Sequence, residues 1–167
     1  MTVKLNPAPE LLTFKMFPKV DQSPEPPYDA RTEHGIGYTV LQYPRKGSRV
    51  GISLIVTVSF VAERSWVVRA KQHDSDLLHH ERLHLMIAAC GGYKVSTEAQ
   101  AGTYADERDA ESELKRLHAR TLLEVDELNG RYDADTNKTG IRASSAHQKL
   151  WKARIEGWYR KKTLGHP

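Results

Sequence analysis

The clearest alternation of apolar and polar positions runs over residues 50–61. Val50, Ile52, Leu54, Val56, Val58 and Phe60 fall on one side. Gly51, Ser53, Ile55, Thr57, Ser59 and Val61 fall on the other. A period of two with one greasy face and one small, mixed face predicts a half-buried strand. Residues 36–43 predict a second strand, and the turn-forming residues 44–48 between them suggest an antiparallel pair. A shorter strand is expected at 65–69.

Beyond residue 74 the period changes. Asp74 or Ser75 can cap a helix running to about Cys90, where Gly91-Gly92 is expected to stop it. A long helix is expected over 104–128, with Leu114, Leu117, Thr121, Val125 and Leu128 on its buried stripe and Asn129-Gly130 as its end. A last helix starts near Ser144 or Ser145 and places Leu150, Trp151, Ile155 and Trp158 on one side. Residues 1–29 carry six prolines and read as an extended lead-in, with a short strand at 11–14. Strands first and helices afterwards argue for an α+β fold in one domain over 1–167.

Composition trims the functional options. The chain has 167 residues, 39% hydrophobic and 28% charged, an ordinary globular balance for one domain. A single cysteine, Cys90, excludes an intrachain disulfide and a four-cysteine metal site. Eight histidines are many for this length. The net charge of +4 is mildly basic, but no interleaving of aromatic and basic residues points to nucleic acid. No apolar stretch is long enough to span a membrane, and Met1 to Lys19 lacks the apolar run of a signal peptide.

The sharpest chemical signal is His80-Glu81-Arg82-Leu83-His84, an HExxH motif on the first predicted helix. Histidines four apart lie on one side of a helix, about 40° apart around its axis, so both can reach one Zn²⁺. The intervening Glu81 can take a proton from a water polarised by the metal and return it to a leaving amine. Leu78, Leu85 and Ala89 lie opposite the histidines and can dock on the core. The bland alternative is histidines that are merely packed or exposed. His79 falls on another face of the helix.

A catalytic zinc needs a third protein ligand, and order along the chain leaves several. Glu98, Glu107 and Glu111 sit on the long, charge-rich helix. Asp133, Asp135 and His147 lie beyond its expected end. Tyr132 could donate a hydrogen bond to an oxyanion, or serve only as a packing residue at a helix end.

Four blocks of the sequence resemble a bacterial family described as predicted secreted zinc-dependent proteases. They are Leu12-Thr13-Phe14 with Phe17-Pro18, the run from Ala30 to Tyr38, Ser65-Trp66-Val67 with Leu77 to His84, and Tyr132 to Asn137 with Gln148 and Trp151. The resemblance implies a small zincin-like domain, a peptide or protein substrate, bound zinc and a secreted or periplasmic location. It also ranks Asp133 and Asp135 above His147, because they match acidic positions of the last block. Arg82 stands where the family has Gln, Leu85 where it has Phe, and Lys138 where it has His. If that family His is a metal ligand, Asp133, Asp135, His147 or His34 would have to serve in its place. The Lys138 departure also motivates a second reading: a non-catalytic zinc-binding interaction module on the same scaffold.

Overall fold

The computed structural model describes residues 2–136 and 145–165. Its architecture is α+β: three helices and small sheets. The strand pair expected from the alternating runs is present. β4 (His34–Gln42) and β7 (Ser53–Phe60) pair antiparallel, with Ile36 opposite Val58 and Tyr38 opposite Val56. The inward positions Leu54, Val56 and Val58 are buried, whereas Thr57 on the other face is exposed. The connection is longer than a tight turn. It holds a two-stranded ribbon of β5 (Arg45–Lys46) and β6 (Arg49–Val50).

The proline-rich start is more structured than its composition suggests. β1 (Thr2–Asn6) adds to the other side of β7 in parallel, giving the order β1-β7-β4. Residues 11–14 are not a strand. Two single-turn helices, Pro9–Leu11 and Phe14–Met16, bracket them. These turns bury Leu12, Phe14 and Phe17, which anchors the segment without ladder bonds. A second sheet has the order β2-β8-β3, built from β2 (Lys19–Val20), β8 (Trp66–Val68) and β3 (Ala30–Arg31). β8 is therefore flanked on both sides and offers no open edge.

Helix α1 (Ser75–Ala101) begins where expected, with the Asp74 carboxylate accepting from the Asp76 and Leu77 backbone N–H groups at 3.1 and 3.0 Å. It does not stop at Gly91-Gly92. A Cβ on Gly91 would lie 2.5 Å from Val125 Cγ2, and one on Gly92 would lie 2.5 Å from Val58 Cγ2. The two glycines serve close approach to α2 and β7, not termination. α1 thereby crosses the molecule, packed by β7 and β4 on one side and by the other two helices elsewhere.

α2 (Glu107–Thr136) likewise runs through Asn129-Gly130. A Cβ on Gly130 would meet open space, so this glycine costs only about 1 kcal/mol of helix propensity. The predicted stripe of Leu114, Leu117, Thr121, Val125 and Leu128 is buried as expected. His118 donates to the Ile36 carbonyl at 2.7 Å and ties α2 to β4. α3 (Ser145–Lys161) buries Trp151 and Ile155, but Leu150 faces outward at 48% exposure. Among the described residues no helix is long and apolar enough to cross a membrane.

Candidate metal centre

His80 and His84 occupy the cleft face of α1, each 7% exposed, while Leu85 and Ala89 are buried in the core and Leu78 is only half-buried against it. Because α2 continues past Gly130, its final turns bring Asp133 over the two rings. The His80 and His84 Nε2 atoms are 3.1 Å apart, and each is 3.1 Å from Asp133 Oδ1. These are the one group of metal-ligating side chains found among the described residues. Tetrahedral zinc with bonds of about 2.0–2.2 Å sets its ligand atoms about 3.3–3.5 Å apart. The observed triangle is a few tenths of an ångström tighter, so small side-chain movements would let His80, His84 and Asp133 hold such an ion.

The outer nitrogens of both rings are also held. His84 Nδ1 donates to Asn129 Oδ1 at 2.8 Å, and Asn129 Nδ2 donates to His34 Nε2 at 2.8 Å. With Nδ1 carrying the proton, His84 Nε2 presents a lone pair to the triangle. On the other ring, His80 Nδ1 lies 3.2 Å from the Gln148 amide, which also meets the Tyr132 hydroxyl at 3.2 Å. Gln148 can satisfy both contacts in either amide orientation. The orientation with its oxygen toward His80 leaves the His80 Nε2 lone pair facing inward as well. Two lone pairs and a carboxylate oxygen then converge, an arrangement that calls for a cation.

The electrostatics show a preference for positive charge at the triangle, which a proton on His84 can also satisfy. Burial pulls the His84 pKa down, yet the adjacent Asp133 carboxylate outweighs it and lifts the ring to about 9. Burial alone would raise Asp133, but the neighbouring histidines hold it well below the usual carboxylate range. His34, at the start of β4, is pulled down by burial and suits a neutral acceptor role toward Asn129.

Glu81 is 2% exposed and opens on the same cleft. Its Oε2 atom has no hydrogen-bond partner among the described residues. A buried carboxylate oxygen left without a donor is costly in a purely structural role. The cleft has a volume of about 320 Å³. Its floor is His80, Glu81, His84 and Asp133. One wall is the Asp126–Asn129 stretch of α2, and the other is the chain from Pro27 to His34.

The remaining candidates lie elsewhere. Asp135, two residues from Asp133, accepts from Trp151 Nε1 at 3.1 Å and is outside the ligand triangle. Tyr132 is fully buried, stacks on the His80 ring at 4.5 Å, and spends its hydroxyl on Gln148. Burial pushes that hydroxyl's pKa far up, and the residue does not line the cleft. His147 is exposed on α3. Glu98 pairs with Lys94 and Arg120, Glu111 with Lys115, and Glu107 sits in the first turn of α2. Lys138 falls outside the described residues. Cys90 is buried in mid-helix, its thiol pushed up to about 12 by burial.

Asn129 escapes a reading of the sequence as a site residue, whereas His34 enters it only as an alternative ligand and Gln148 only through the family block. Asn129 was legible only as a helix stop. Once α2 is continuous, its place four residues before Asp133 puts both side chains on one face. Compared with known proteins, the chain matches no family model, no curated protein and no solved structure.

Proposed function

We propose that this protein is a zinc-dependent peptidase whose metal is held by His80, His84 and Asp133, with Glu81 as general base and then general acid. The observation that carries the proposal is the 3.1 Å triangle of donor atoms beside the buried, unpartnered Glu81 Oε2. Two imidazoles and one carboxylate suit zinc, which also fits a helix carrying a glutamate between its ligands. Zinc held there would act as a Lewis acid on a water molecule and on the scissile carbonyl. Asn129 and Gln148 keep the ligand rings in the right tautomer. Glu81 takes the proton of the attacking water and passes it to the leaving nitrogen.

An extended peptide suits the opposite wall. The Val68 N–H donates to the Asp29 carbonyl at 2.8 Å, whereas the Val67 N–H turns to Pro18 at 3.0 Å. By strand alternation, Asp29 and Arg31 bond to β8, and the polar groups of Ala30 and Thr32 face away from it. Strand addition along this free edge would hold substrate backbone over the helix. A metal helix packed on a sheet, with an edge strand lining the cleft, also supports a zincin-like fold. The resemblance to the secreted zinc-dependent proteases belongs to the same proposal.

The test is metal content and cleavage of a mixed peptide library by the parent protein and by Glu81→Gln. About one zinc per chain is expected in both. Cleavage should fall by about 10²–10⁴ in Glu81→Gln. Full metal loading with no cleavage by the parent would favour the non-catalytic module. A parent that stays metal-free at micromolar zinc would end both readings.

A further inference from the structure

The charge of the cleft runs against the charge of the chain. The whole protein is net positive at +4. Yet among the described residues the cleft is lined by six carboxylates and a single guanidinium, that of Arg31. Arg31 and a divalent ion would together cancel three of those negative charges. The remaining wall acids are partly engaged: Asp29 lies 3.4 Å from Lys71, and Glu33 lies 3.6 Å from Arg64. Asp126 is different. It is exposed on the cleft side of α2, and no ion pair is formed by it among the described residues. Together with Asn129 and Asp133 it makes a stripe at spacing i, i+3, i+7, the cleft-facing side of the helix.

The place of Asp126 fits a particular group. Seven residues of helix set it about 10 Å from Asp133 along the axis. A side chain next to the scissile bond must therefore be long to reach it, and cationic to gain from it. Lys and Arg meet both conditions. A negative cleft also raises the local concentration of cationic ligands before any contact forms. The buried, unpartnered Glu81 oxygen marks the same cleft as a place built to receive a ligand.

We infer that the cleft selects peptides carrying a basic residue beside the scissile bond, with Asp126 as the residue that reads its charge. This inference rests on the peptidase reading of the cleft. It is tested by binding, so that the two can fail separately. Three fluorescent decapeptides would be alike except for Lys, Gln or Glu at the two central positions. They would be titrated into zinc-loaded Glu81→Gln protein and into the same protein carrying Asp126→Asn. Asp126 is on an exposed helix position, so the substitution leaves the fold intact.

The Lys peptide should bind about tenfold more tightly than the Gln peptide at low salt, and more tightly still than the Glu peptide. That ratio should fall several-fold in Asp126→Asn, and shrink in both proteins near 0.5 M salt. Equal binding of the three peptides, no measurable binding of any, or an unchanged ratio in Asp126→Asn overturns the inference. If the Lys peptide binds best but the parent cleaves none of the three, the peptidase reading falls and the charge selectivity stands.

Discussion

The two walls of the cleft are built on different principles. The helical wall is largely buried around a connected hydrogen-bond network. His80, His84, Asp133 and Asn129 hold one another at 2.8–3.1 Å, and Gln148 and His34 close the network from behind. The strand wall is exposed and loosely tied. Arg31, at 47% side-chain exposure, bridges Glu25 and Glu33, and Lys71 meets Asp29 with both side chains more than 40% exposed. Groups that must converge to within a few tenths of an ångström sit on long helices locked by packing. Groups that would meet a variable ligand sit on an edge whose contacts cost little to rearrange. On the proposed reading, the metal chemistry falls to the packed residues of α1 and α2, and recognition falls to the exposed ones, β3 for the substrate backbone and Asp126 for its charge.

The sharpest way to break the helical wall without touching a ligand is Asn129→Ala. It strips His84 Nδ1 of its acceptor and His34 Nε2 of its donor. Zinc affinity, read by competition with a chromophoric chelator, should drop about 10–100-fold. Asn129→Asp keeps an acceptor for His84 and should recover part of that loss. If Asn129→Ala binds zinc like the parent, the wall is not preorganised and the comparison fails.

A smaller effect is expected from the seat of α1. Gly92→Ala would put a methyl 2.5 Å from Val58 Cγ2. Overpacking of this kind costs about 1–3 kcal/mol. Chemical denaturation should show that loss, with zinc affinity of the folded protein changed less than in Asn129→Ala. An equal loss of affinity would mean that the seat of the helix, not the hydrogen-bond network, sets the triangle.

The same glycines show where sequence stops being legible. The alternation over 50–61 is a local, two-residue signal, and β7 follows from it. HExxH is also local, and both rings open on one cleft. Gly91-Gly92 and Asn129-Gly130 read as stops because a dipeptide carries no information about what packs on it. What packs on them lies 34 residues or more away in sequence: Val125 at Gly91, Val58 at Gly92 and His34 of β4 at Asn129. The choice between Asp133 and Asp135 has the same character. Two residues apart on a helix, they point about 200° apart, so only one can face α1. Which one depends on the phase of α2 against α1, and that phase is set by tertiary packing. β1 was missed for a related reason: its partner, β7, lies some fifty residues later.

The smallest expected effect is on the strand wall. Arg31→Ala removes both bridges, to Glu25 and to Glu33, but leaves the backbone pairing of β3 with β8 in place. Exposed pairs of this kind are worth about 0–1 kcal/mol each. Stability should therefore fall by less than about 1 kcal/mol, and zinc affinity should stay at the parent value. The same change takes the Arg31 guanidinium out of the cleft lining, frees Glu25 and leaves Glu33 with Arg64. Preference for a Lys-centred peptide over its Gln counterpart should then rise, most clearly at low salt. A loss of zinc affinity comparable to that of Asn129→Ala would show that the two walls are one mechanical unit. A near-parental stability and affinity with a raised charge preference would separate them, with the metal's geometry fixed by the packed residues of α1 and α2 and the ligand's charge read by Asp126 against the opposing charge of Arg31.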